Sequence, residues 1–150
     1  MYGVIPLMTV VALLLTVVIA AIAAVHAYWA AGGLWPCNTE HELVNTVVGI
    51  PRLTHMPPPL LTTFAAVVFA GLAAWPLVLA PIFTRVVTPA LTTVVTLVVA
   101  AVFLGRGVTG YIPAWQRRHS ALPFATYDRL FYSPLCFVLG AGFVALTFPT

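Results

Sequence analysis

Apolar positions run on through this chain in four long blocks, and the charged ones are confined to the gaps between them. The nine Asp, Glu and Arg residues are Glu40, Glu42, Arg52, Arg85, Arg106, Arg117, Arg118, Asp128 and Arg129. Residues 1–39, 53–84, 86–105 and 130–150 carry none of these charges. A helix needs about 20 mostly apolar residues to cross a hydrocarbon core about 30 Å thick. Each block holds one such segment. The pattern predicts an all-α fold, an integral membrane four-helix bundle with spans at about 4–30, 60–79, 86–104 and 130–148.

Glycine and proline punctuate the spans. Gly32-Gly33 stops the first, because glycine accepts the left-handed conformation that closes a helix. Pro57-Pro58-Pro59 is stiff and extended and leads into the second; Pro76 and Pro81 crowd that span's end. Pro89 falls in the first turn of the third, where its missing N–H matters least. Ser133-Pro134 can cap and begin the fourth. Alternatively a turn from about Thr126 runs into it with a kink at Pro134. The connection 80–85 is tight, which predicts that the second and third spans are antiparallel neighbours. The connections 31–59 and 105–129 are long and lie on one side of the membrane.

Charge then orients the bundle. There is no Lys. The two long connections and their flanks carry Arg52, Arg106, Arg117, Arg118 and Arg129, against Arg85 and the α-amino group on the other side. The positive-inside bias puts the long connections in the cytoplasm and both termini outside. Met1-Tyr2-Gly3 has no positive side chain and the apolar run after it is long for a signal peptide, so the first block is expected to remain as a span.

Composition agrees. Of 150 residues, 62% are hydrophobic and 6% charged, where a soluble domain carries about 25% charged residues. Mean hydropathy is +1.08. Four spans leave little for a separate soluble unit, so residues 1–150 are expected to form one domain. The net charge of +3 comes from scattered arginines, not from the clustered basic face that nucleic-acid binding requires. Membrane lipids are the expected surroundings.

Small residues recur where close helix packing needs them: Thr16, Ala20 and Ala24, offset by Ala23, Ala27 and Ala31; Ala66, Ala70 and Ala74; Thr88, Thr92, Thr96 and Ala100; Ala141 and Ala145 beside Gly140 and Gly142. The threonines are expected to bond back to the carbonyl one turn earlier.

The candidate chemistry gathers at one end. His26, Tyr28 and Trp29 finish the first span, Arg106 the third, and Asp128, Arg129, Tyr132, Ser133 and Cys136 begin the fourth. Helical spacing puts Arg129, Tyr132, Ser133, Cys136 and Gly140 on one face. The candidate ligand-binding set is His26, Trp29, Arg106, Asp128, Arg129, Tyr132 and Ser133. Asp128, the lone acid of its connection, is expected to pair with Arg106. In the binding picture Arg106 and Arg129 hold an anionic group, Asp128 fixes the arginines, and His26 and Tyr132 orient by hydrogen bonds. The plainer picture has a structural ion pair, a histidine at a helix end, and an interfacial aromatic belt of Tyr28, Trp29 and Trp35.

Other chemistries find less support. Cys37 and Cys136 face the side where disulfides are rare. Cys37 and His41 have a spacing that could share a metal but lack a second pair. Only His26 is close to a span, which disfavours a bis-histidine haem. No charge sits mid-span, as a coupled transporter usually needs. Arg117-Arg118-His119 can touch anionic head groups. No metal, cofactor or catalytic residue is assigned. Three functions remain: binding of a small ligand, lipid head group or membrane-protein partner at the cytoplasmic mouth; an isomerase- or oxidoreductase-type enzyme acting on a lipid-soluble substrate, with His26 or Asp128 as acid–base; and an accessory subunit of a membrane complex. The first leads.

Four boxes carry a family likeness. They are His26-Ala-Tyr-Trp-Ala-Ala-Gly-Gly33 with Trp35-Pro36; Thr46-Val-Val-Gly-Ile-Pro51 with Met56-Pro-Pro-Pro59; Arg106-Gly-Val-Thr-Gly-Tyr-Ile-Pro113; and Pro123-Phe-Ala-Thr-Tyr-Asp-Arg-Leu-Phe-Tyr-Ser-Pro-Leu-Cys136. Together they resemble the domain of unknown function 3995 family of small bacterial four-helix membrane proteins, in its actinobacterial-type branch. The resemblance implies the four-span fold and brings no established activity. Other branches carry an acid where this chain has Thr109-Gly110, so no role for that acid transfers.

Overall fold

The computed structural model describes residues 4–79 and 88–148. The tight connection with Arg85, the expected start of the third span at Val86, and Tyr2 lie outside the described residues. The chain is all-α: α1 (Val4–Ala30), α2 (Glu40–Val47), α3 (Pro59–Leu79), α4 (Pro89–Thr109), α5 (Pro113–Arg118), α6 (Phe124–Tyr127) and α7 (Ser133–Thr147), with a π-turn over Asp128–Tyr132 joining α6 to α7. Four stretches are long and apolar enough to cross a membrane: Leu7–Ala30, Pro59–Leu79, Pro89–Thr109 and Phe124–Thr147.

Two boundaries differ from expectation. α4 runs to Thr109, past 104, and so carries Arg106 within its last turn. The fourth span begins at Phe124, not at 130, because helical geometry continues through the π-turn. Pro134 explains that turn. It offers no N–H to the carbonyl one turn back, and its ring crowds that carbonyl. Widening the preceding turn relieves both, and the Ser133 N–H bonds the Asp128 carbonyl five residues earlier.

α1 packs chiefly on α3 and α4 on α7, with α7 also touching α1. Loop length predicts that the second and third spans are antiparallel neighbours; they touch, but each packs chiefly on another helix. α3 and α4 meet sparingly, notably where Trp75 Nε1 donates to Thr96 Oγ1 at 3.0 Å. The core joins Ala12, Leu15 and Ile19 of α1 to Val99, Ala100 and Phe103 of α4 and Leu139, Phe143 and Leu146 of α7. Phe103 and Phe143 stack at 5.9 Å. Gly140 lets α7 approach α4: a Cβ there would lie 2.6 Å from Leu104 and 3.2 Å from the Ala100 carbonyl. The threonines do bond backwards, Thr92 to the Thr88 carbonyl and Thr96 to the Thr92 carbonyl. Of the alanine stripes, Ala23 and Ala66 are buried, while Ala24, Ala27 and Ala70 line an open groove between α1 and α3.

At one end the two long connections fold onto each other as a cap. α1 closes with Gly32 at φ +88°, whose N–H bonds Trp29 O while the Gly33 N–H bonds Tyr28 O, a Schellman arrangement. α2, which hydropathy left inside a loop, starts with a capping box: Glu42 N–H donates to Thr39 Oγ1, and Thr39 N–H to the Glu42 carboxylate. Beyond it the Glu40 carboxylate accepts the Met56 N–H at 2.8 Å and meets His55 Nδ1 at 3.2 Å. These two bonds hold the Glu40 carboxyl below its ordinary range. The connections are then tied by Ala121 N–H to Gly49 O at 3.1 Å and Tyr132 Oη to Thr46 O at 3.1 Å.

Candidate ligand site

Asp128 organises the capped end. It sits in the π-turn, 2% exposed, and a charge so buried needs partners. Three donors reach it. Arg106 Nη2 of α4 bonds Oδ1 at 2.6 Å, Trp115 Nε1 of α5 bonds Oδ2 at 2.9 Å, and Ser133 Oγ donates to Oδ1 at 3.3 Å. The π-turn makes the last contact possible, since residues five apart come together across it. Gly110 must lack a side chain here: a Cβ would overlap Ser133 Oγ and lie 3.1 Å from Asp128 Oδ2.

α5 delivers the tryptophan. Pro113 begins it with a preset φ, and Gln116 Nε2 ties it back to the Gly110 carbonyl at 3.1 Å. The Trp115 ring has one cationic and one aromatic partner. The Arg106 guanidinium carbon is 5.0 Å from its centroid, a cation–π distance, and the buried His119 ring stacks at 3.7 Å. His119 passes the packing to Phe124, and Phe124 to Tyr132.

Arg106 therefore spends Nη2 on Asp128 and a face on Trp115. Its Nη1 is buried without a hydrogen-bond partner among the described residues. Such an orphan donor calls for an explanation. Arg106 lines a cavity of about 930 Å³ between the α1–α3 and α4–α7 pairs, at the upper end of the roughly 300–1,000 Å³ usual for small-molecule sites. The walls are almost wholly apolar, with Ile22, Val25, Leu72, Val99 and Leu139 among them. The polar lining is His26, Trp29, Arg106, Tyr132 and Cys136.

These groups are not equally free. Trp29 Nε1 donates to Trp35 O at 2.7 Å, and Tyr132 Oη to Thr46 O. His26 Nδ1 lies 2.8 Å from Ile22 O. A carbonyl only accepts, so Nδ1 carries the proton, and in the neutral ring Nε2 is an acceptor. The imidazole is wedged against Trp29 at 5.3 Å and Phe69 at 5.0 Å.

Of the seven candidates from sequence, His26, Trp29, Arg106 and Tyr132 line one cavity. Asp128 and Ser133 stand behind Arg106. Arg129 joins neither group: it is exposed, and its carbonyl accepts from Tyr111 Oη at 3.0 Å. The expected single face from Arg129 to Gly140 is broken because the π-turn changes the register ahead of Ser133. Arg117 and Arg118 are exposed while His119 is buried, so that cluster does not act as one. Cys37 contacts the Thr46 hydroxyl and His41 the Asn45 amide; neither cysteine is bridged. Sequence reasoning missed Trp115, Gly110, Phe69 and Phe124. The Arg106–Pro113 and Pro123–Cys136 boxes contain two of them, but nothing local says that they meet.

A family profile described as "Protein of unknown function (DUF3995)" matches residues 18–143. The chain belongs to that family. No curated protein and no solved structure matches it. It is a membrane protein of a family of unknown function, with four helices among the described residues long and apolar enough to span a bilayer.

Proposed function

We propose that this protein binds a membrane-soluble amphiphile in the cavity between its helix pairs, head group at Arg106 and His26, tail along α1 and α4. The observation that carries this is a largely apolar space of about 930 Å³ whose few polar lining residues include Arg106 and His26. An extended tail fits, since the lining runs on α1 from Val17 to Trp29, about 18 Å at 1.5 Å per residue. Val17, Val68, Val98 and Val102 line the cavity and are exposed, which offers lateral entry. Asp128 is not among the lining residues and its oxygens are taken by three donors, so its role is to hold Arg106 rather than to exchange protons with a ligand.

Val25→Phe tests this. Val25 lines the cavity but lies outside the buried core cluster, so the added ring occupies the site without disturbing the bundle. In native mass spectrometry of protein extracted with its lipids, the wild type should carry a reproducible extra mass that Val25→Phe loses. A bare wild type, or an adduct that the variant keeps, counts against the cavity.

We also propose that the cap faces the cytoplasm, supported by Arg52, Arg106, Arg117, Arg118 and Arg129 on that side. A C-terminal alkaline phosphatase fusion should then be active and a green fluorescent protein fusion dark. The reverse pattern would invert the topology.

A further inference from the structure

We infer that the head group selected here is uncharged and offers a hydroxyl donor; this rests on the reading that the cavity binds an amphiphile. The argument begins with charge balance. Arg106 is the one permanently charged side chain among the described residues that line the cavity, and its charge is already matched by Asp128 at 2.6 Å. An anionic head would have to share the guanidinium with a carboxylate that Trp115 and Ser133 also hold in place. Its own charge would then lack a counterion in apolar surroundings, which is costly. The exposed Arg52, Arg117, Arg118 and Arg129 do not line the cavity and cannot supply one. A cationic head would meet Arg106 directly.

What remains on the wall is the unbridged Cys136 thiol, a weak donor and acceptor, and one stronger group, His26 Nε2. Arg106 Nη1 has no acceptor among the described residues, but it is shut off from the cavity and is not a ligand contact. His26 Nε2, with Nδ1 committed to Ile22 O, is an acceptor without a donor in the neutral ring. The hydrogens of Trp29 and Tyr132 are already given to backbone carbonyls. An O–H therefore suits His26 Nε2. The ligand class is a neutral hydroxyl-bearing lipid. Two sources share that chemistry: a partial glyceride of the bilayer and a long-chain alcohol produced by metabolism.

The test uses the full chain in neutral detergent with four probes of matched tail length: a monoacylglycerol, an isoprenoid alcohol, a monoalkyl phosphate and an alkyltrimethylammonium. Binding is read by native mass spectrometry. At least one neutral probe should bind on the order of tenfold more tightly than either charged probe, and Val25→Phe should abolish it. Preference for the monoacylglycerol assigns the bilayer as source, preference for the alcohol a metabolite. His26→Phe keeps a ring against Trp29 and Phe69 but removes the acceptor. It should weaken the alcohol and spare its methyl ether. Asp128→Asn leaves the arginine charge unmatched and should raise the alkyl phosphate relative to the neutral probes. If the wild type prefers the alkyl phosphate and Val25→Phe loses it, the neutral head is wrong and the amphiphile cavity stands. If no probe responds to Val25→Phe, both readings fall.

Discussion

Asp128→Ala is expected to cost about 3–5 kcal/mol of stability, the usual range when one member of a buried ion pair is removed. Three donors lose their acceptor together: Arg106 Nη2, Trp115 Nε1 and Ser133 Oγ. Arg106 is the largest loss, although its side chain is 31% exposed, and water reaching it moves the expected value toward the low end. Asp128→Asn retains one acceptor oxygen and should cost less, about 1–3 kcal/mol for donors left partly unsatisfied. The double variant Arg106→Met, Asp128→Leu removes both charges and should recover much of the loss, because well-packed apolar replacements of buried pairs are often neutral. Equilibrium unfolding in mixed micelles measures all three. An Asp128→Ala variant within about 1 kcal/mol of the wild type would mean that α4, α5 and the π-turn are held by something other than this carboxylate.

The parts of this molecule legible in sequence are those fixed by composition or by scarcity. The four spans follow from where charge is absent, because lipid excludes it. The Arg106–Asp128 pair follows because Asp128 is the lone acid of its connection and a buried carboxylate must find a cation. Gly32 marks the end of α1 because the chain there takes a positive φ. The illegible parts depend on contacts that no local rule encodes. Helical spacing set Arg129 and Tyr132 on one face, but the π-turn placed Tyr132 on the cavity wall and left Arg129 outside. Pro134 was the available sign of that distortion, and it was compatible with two starts for the span. Trp115 reads as one more interfacial aromatic until α5 folds it onto Asp128. The cavity itself arises from how two helix pairs meet, so its wall residues look in sequence like any lipid-facing valine.

Gly49→Ala should damage the cap severely, and Gly32→Ala separates its causes. Both glycines have positive φ, +76° and +88°, a conformation that costs an L-residue about 1–2 kcal/mol. At Gly32 nothing lies within 4 Å of an added Cβ, so Gly32→Ala should show that conformational cost alone. At Gly49 the new Cβ would overlap the Phe124 ring and sit 2.7 Å from the Phe124 Cβ. Phe124 has little room to retreat. It is 3% exposed and packs against the His119 and Tyr132 rings, while the Gly49 carbonyl is itself bonded by Ala121 N–H. Overpacking of this kind adds about 1–3 kcal/mol, for a combined loss of about 2–5 kcal/mol. Because Phe124 lines the head-group end of the cavity, Gly49→Ala should also reduce the bound mass, whereas Gly32→Ala should leave it. The comparison needs only unfolding curves and mass spectra of the two variants. Equal losses in both would show that Phe124 yields freely, and that the cap does not set the shape of the cavity's polar end.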